Sequence, residues 1–247
     1  MHLSSLEAMS RFICNYLTDE KNKLEISTNS FLFEPLVLRR IYDNLFLGGG
    51  IRYNSIWNAS LLHHDDASQT NSEFAKSLNN LSSGLELAIN YDSRDNVLNA
   101  LSGYFVMLSH GFYNKALGGD NKFGITNFNA RGYYKLWDHR LDVLAVEFYS
   151  RFTDGNVPAI EFSGLGGRER LRGYQERRFN DNHAVFLQTE YRWQMLERLG
   201  MVFFTGAGDV FSSISDDITL QNLKVSLGTG LRLKIVKSEN LNIRMDY

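Results

Sequence analysis

Cysteine is almost absent: Cys14 is the only one in 247 residues. That excludes a disulfide framework and any cysteine-built zinc site. Proline is nearly as scarce, with Pro35 and Pro158 alone. No run approaches the roughly 18–20 consecutive apolar residues of a membrane-spanning helix. Neither sign of charge dominates, since 26 Lys and Arg stand against 28 Asp and Glu for a net charge of −2. The balance gives no general push toward nucleic acid. The opening stretch, "MHLSSLEAMSRFICNYLTDEKNK", has neither a basic start before an apolar run nor a small-residue cleavage site, so no export signal is legible in it. What the chain does have is 13% aromatic residues and 20 glycines. That mixture suits long strands with aromatic ends and tight turns better than helices.

Periodicity agrees. From Leu223 to Val236, the positions Leu223, Val225, Leu227, Thr229, Leu231, Leu233 and Ile235 alternate with Lys224, Ser226, Gly228, Gly230, Arg232 and Lys234. Such alternation marks a strand with one apolar and one polar face, and its length exceeds the usual five or six residues. "GLELAINYD", "AVFLQTEYRWQ" and "TNFNARGYYKL" repeat the pattern. The spacing predicts about ten strands, near 31–41, 45–57, 84–93, 102–113, 123–136, 142–152, 183–194, 200–211, 223–236 and 240–247. Short connections such as "WDHR" and "MLERLG" mostly alternate with long ones, including 58–83 and 153–182. Antiparallel up-and-down transmembrane barrels have this asymmetry, with short periplasmic turns and longer outside loops. A soluble sandwich or barrel with the apolar faces turned inward produces the same alternation. Strand length, glycines on the polar faces and aromatic strand ends favour the transmembrane all-β barrel.

One stretch breaks the even charge distribution. "GGRERLRGYQERRFNDN", residues 166–182, holds Arg168, Arg170, Arg172, Arg177 and Arg178 against Glu169, Glu176 and Asp181. The interleaved acids argue against an RNA-binding loop, and the aromatic-plus-basic platform of single-strand binders is lacking. Leu171, Arg172, Gly173 and Tyr174, followed directly by the strand "FLQTEYRW", resemble the lid-loop motif of the bacterial surface-antigen barrel in the outer-membrane assembly (BamA/TamA-like) family. "YDSRDN" at 91–96, "VFFTGAGDVF" at 202–211 and "GTGLRLKI" with "LNIRMDY" agree in order and spacing, so the resemblance covers roughly 30–247. It implies that a long outside loop, here 153–182, folds back into the barrel and that Arg172 seeks a carboxylate there. Many relatives supply an Asp in a Phe-x-Asp-x-Gly pattern, but Gly206 occupies that place. Glu190 is the first expected partner and Asp209 the second, with Gln188 as a neutral neighbour.

The resemblance further implies an outer-membrane location and work in inserting or transporting outer-membrane proteins. The expected partners are lipid, unfolded client chains and periplasmic accessory proteins, with no nucleic acid, no cofactor and no enzymatic step. Residues 31–247 are expected to form the barrel, and 1–30 an N-terminal segment of unassigned structure. Compared with the family's larger barrel of roughly sixteen strands, the chain is expected to be a fragment lacking early strands, an export signal and the closing strand. A stand-alone pore or structural barrel is the alternative. A hydrolase is a third reading, because His63, His64, Asp65 and Asp66 have metal-ligand chemistry. Adjacent residues point in different directions, however, and a solvated polar loop explains the cluster more simply. "YDSRDN" likewise reads as a charge-satisfied turn, and no nucleophile elbow, Walker loop or dinucleotide fingerprint appears.

Overall fold

A computed structural model describes residues 8–15, 23–61, 76–137, 139–213, 222–236 and 241–246. The strands are β1 (Ala8–Asn15), β2 (Lys23–Phe33), β3 (Leu36–Tyr42), β4 (Leu45–Leu61), β5 (Asn80–Asp92), β6 (Gly103–Tyr113), β7 (Phe123–Lys135), β8 (Val143–Gly155), β9 (Ser163–Leu165), β10 (Phe179–Asp181), β11 (His183–Gln194), β12 (Leu199–Phe211), β13 (Lys224–Val236) and β14 (Leu241–Asp246). Twelve form one sheet in the order β1-β2-β4-β5-β6-β7-β8-β11-β12-β13-β14, with β3 also on β4, while β9 and β10 pair as a separate ribbon. All pairings are antiparallel, from β1 on β2 to β13 on β14. Among the described residues no pairing joins β1 to β14.

Nine of the ten expected strands match one strand each. The tenth, 31–41, straddles two, because Glu34 and Pro35 interrupt the chain between β2 and β3. Proline has no N–H to give to a ladder, so the break falls there. Both pieces still pair with β4, Phe33 opposite Tyr53 and Leu36 opposite Gly50. The approach at this joint is tight. A Cβ on Gly48 would lie 1.8 Å from the Val37 carbonyl oxygen, and one on Gly50 2.2 Å from that of Pro35. The glycine run of β4 is what admits β3.

The sheet settles which face is inside. Leu85, Leu87, Ile89 and Tyr91 of β5 are exposed, as are Leu187 of β11, Phe203 of β12 and Val225, Leu227, Leu231 and Leu233 of β13. Their alternation partners Ser82, Asn90, Gln188, Glu190 and Ser226 are buried. This inverts a soluble barrel, and an apolar outer band with a polar interior is the arrangement of a membrane barrel. Cross-sheet contacts reveal the curvature: Arg192 of β11 bonds to Asn99 and Ala100 in the turn between β5 and β6. A flat sheet would hold β6 and β11 about 14 Å apart. The connections 43–44, 93–102 and 195–198 share one end, here the turn rim, and 114–122 and 156–182 leave from the other, the loop rim.

Leu87, near the middle of β5 and 60% exposed, separates the two environments. Leu87→Arg is expected to destabilise the protein folded into lipid vesicles by about 2–4 kcal/mol, as at a bilayer midplane. On a water-facing surface the same change stays within about 0.5 kcal/mol. Denaturant titration from vesicles measures the difference.

Candidate functional site

The segment between β8 and β11 lies against the polar face and pairs with its charges at two places. This lid leaves β8 at Gly155, forms a short 3-10 turn at Ala159–Glu161, runs through the β9–β10 ribbon and returns to β11. A small apolar core fastens it. Leu165 and Leu171 are fully buried against Ala184 and Phe186 of β11, with Tyr149, Tyr174, Phe179 and Val210 around them. The turn at 171–174 needs unusual backbone geometry, with Leu171 at φ 51° and Gly173 at φ 96°. Around Gly173 a Cβ would meet nothing within 4 Å, so backbone conformation rather than close approach calls for glycine.

That turn points Arg172 into the interior. Its Nη2 donates to Glu190 Oε2 at 2.7 Å and its Nη1 to Asp246 Oδ2 at 3.3 Å, while the guanidinium lies 4.4 Å from the centre of the Phe204 ring. Glu190 lies seven positions along β11 from His183, roughly 23 Å at the usual strand rise. Tyr174 donates its hydroxyl to the Val225 carbonyl at 3.1 Å and meets Phe179 edge to face. Arg170 stacks 3.6 Å from the centre of the Tyr149 ring, within 3.9 Å of Glu147. Asp209 does not reach Arg172; it accepts from Lys224 Nζ. Gln188 is buried on the same face with its Oε1 unpaired. Gly206 lies between Gln188 and Ser226 in register, and a Cβ there would meet the Phe186 ring at 3.0 Å. The second carboxylate on Arg172 comes instead from β14, where Asp246 also accepts from Arg232.

A second anchor was not legible in sequence. Glu161 is 2% exposed and takes Arg52 Nη1 of β4 on both carboxylate oxygens at 2.9 Å. Asn54 donates to the same carboxylate at 2.8 Å, and Arg151 of β8 donates to the Glu161 carbonyl at 3.2 Å. Burial pushes the Glu161 carboxyl up, but Arg52, Asn54 and Arg151 together outweigh it and hold the group below its ordinary value. The lid therefore sends an anion to Arg52 of β4 and Arg151 of β8, and a cation to two carboxylates, Glu190 of β11 and Asp246 of β14, that Arg192 and Arg232 also pair. The only sequence signal for Glu161 was a lone carboxylate among apolar neighbours in "PAIEFSG". His63, His64, Asp65 and Asp66 lie outside the described residues.

Two outcomes follow for the lid. Arg172→Ala is expected to loosen it by roughly 3 kcal/mol, the low end for a broken buried pair because Arg192 still neutralises Glu190; faster tryptic cleavage after Arg168, Arg177 or Arg178 would report it. Because the folded Glu161 value is depressed, its stabilisation is complete above the ordinary glutamate range and is lost as pH falls through the lowered value. Glu161→Gln is expected to remove that acid limb from a pH series of lid proteolysis.

Comparison with known proteins accords with this architecture. The family model described as "Omp85 superfamily domain" matches residues 8–237. Among curated proteins no sequence match is found. The crystal structure of BamA from Haemophilus ducreyi lacking POTRA domains 1–3 superposes with a TM-score of 0.64 at 15% identity, over 91% of this chain and 51% of that one. CdiB from Escherichia coli superposes with a TM-score of 0.56 at 15% identity, over 91% of this chain and 41% of that one. The chain thus spans about half the length of these solved structures. With an apolar exterior, a polar interior and a matching domain over nearly its whole length, the chain belongs to the Omp85 superfamily of outer-membrane β-barrels.

Proposed function

We propose that the chain is the barrel part of a machine that inserts proteins into the outer membrane or carries them across it. In this reading residues 31–247 are the barrel domain, which β1 and β2 extend toward the N-terminus, with 153–182 as its lid. The work is structural rather than chemical. Strand edges pair with client strands by β-augmentation, while the docked lid holds the interior polar and occupied. The observation that carries the reading is the clasp of Arg172 between Glu190 and Asp246. It commits buried charge to holding a loop inside the barrel, where a plain pore would keep its passage open. The partners are outer-membrane lipid, unfolded outer-membrane proteins and periplasmic accessory proteins.

Reconstitution in lipid vesicles tests the proposal. The full-length protein is expected to speed the folding of a second, urea-unfolded outer-membrane barrel into the same vesicles, and Arg172→Ala to lose most of the acceleration. Ion conductance without any acceleration would establish the stand-alone pore instead. Metal-dependent hydrolysis, lost on His63→Ala or Asp65→Ala, would establish the hydrolase.

A further inference from the structure

The two oxygens of Glu190 belong to two different arginines. Arg172 of the lid holds Oε2, while Nε of Arg192, two residues along the same face of β11, holds Oε1 at 2.7 Å. The far side of Arg192 is also engaged. Its Nη1 donates to Asn99 Oδ1 at 3.1 Å and to the Ala100 carbonyl at 3.2 Å, and its guanidinium lies 5.4 Å from the centre of the Tyr133 ring. Asn99 and Ala100 sit in the turn between β5 and β6, at the rim opposite the lid's attachment.

That turn is firmly built. Arg94 makes a two-pronged pair with Asp92 at 2.8 Å on each prong and stacks 4.6 Å from the centre of the Phe105 ring. Asp95 Oδ1 accepts from the Leu101 amide at 3.0 Å, and Asn96 Oδ1 from the amides of Leu98 and Asn99 at 2.8 and 3.0 Å. An unbroken series therefore runs from the lid through Arg172, Glu190 and Arg192 to the 93–102 turn, linking the loop rim to the turn rim.

We propose that Arg192 is a positioning residue that couples the conformation of the 93–102 turn to docking of the lid, acting through Glu190. A carboxylate held by one guanidinium can still rotate about its side chain. Gripped from both sides by planar donors, it has a single orientation, and Arg172 meets an acceptor already aimed at it. Arg192 is in turn aimed by the turn, because two of its bonds end there. Coupling of this kind is reciprocal: what fixes the turn favours the docked lid, and docking the lid steadies the turn. Asp246 and Phe204 hold Arg172 independently of Glu190, so losing Arg192 weakens docking without abolishing it.

Hydrogen exchange of the full-length protein in lipid vesicles, read over the lid amides 167–178, tests the coupling. Arg192→Met is expected to speed lid exchange about tenfold, the scale of coupled members of one ion-pair network. Arg192→Lys keeps the charge but not the fork, and is expected to restore only part of the protection. Asn99→Ala touches neither Glu190 nor the lid, yet is expected to speed lid exchange in the same direction. In an Arg172→Ala background its effect on the lid is expected to vanish. If Asn99→Ala alters exchange only within 93–102, or acts additively with Arg172→Ala, the coupling is refuted. Should Arg192→Met fail to fold, Asn99→Ala and its double variant carry the same decision. None of these readouts depends on client insertion, so the coupling and the proposed function can fail separately.

Discussion

Turning a charged face away from water creates the constraint on which the rest of the structure depends. Lipid can solvate neither an ion nor an unpaired backbone group, so the sheet faces it with leucine, valine, phenylalanine and tyrosine and keeps Arg52, Glu147, Glu190, Arg192 and Arg232 inside. Buried charges persist only if paired and hydrogen-bonded. The neighbouring strands meet part of that requirement, as with Arg131 and Glu147, 3.2 Å apart across β7 and β8. Arg52 and Arg151 take a carboxylate from a segment outside the sheet, and Glu190 and Asp246, already paired with Arg192 and Arg232, accept a further guanidinium from it. The lid is that segment.

Desolvation and attraction oppose each other at both anchors, and geometry decides the balance. At Glu161, burial is the largest single influence and favours the neutral acid, yet two guanidinium groups and an amide together outweigh it. Single contacts of this kind contribute little on a surface. Here they act where water is scarce, and Arg52 Nη1 alone meets both oxygens of the Glu161 carboxylate. Leu165 and Leu171 add apolar burial that a solvated loop would lack. Opposite charges at the two anchors also give the lid one orientation, since exchanging its ends would set like charges together.

Much of this was legible in the residues. Leu223 to Val236 reads as a two-faced strand on sight, and Leu171 to Tyr174 marks the lid turn. Glu190 was accessible as a candidate because it shares a face with Gln188 and Arg192 on the strand that follows the motif. Asp246 was not, because it meets Arg172 only through the pairing of β14 on β13. Glu161 was hidden for a similar reason: it lies 109 residues from Arg52, and local periodicity carries no information about contacts at that distance. Asp209 illustrates the converse error. It sits on a neighbouring strand and has the right charge, but Lys224 takes it.

The sequence by itself determined nine strands and their two-faced character, because these follow from a period of two. The lid turn was marked by its likeness to a family motif, and β1, β9 and β10 were not legible. Tertiary structure alone decided which face lies inside, since alternation is identical for a soluble barrel and a membrane barrel. It also decided which carboxylate Arg172 finds and that Arg192 shares it. Those outcomes depend on register and curvature, which bring β4, β11, β14 and the 93–102 turn around one interior, and no short stretch of chain encodes that meeting.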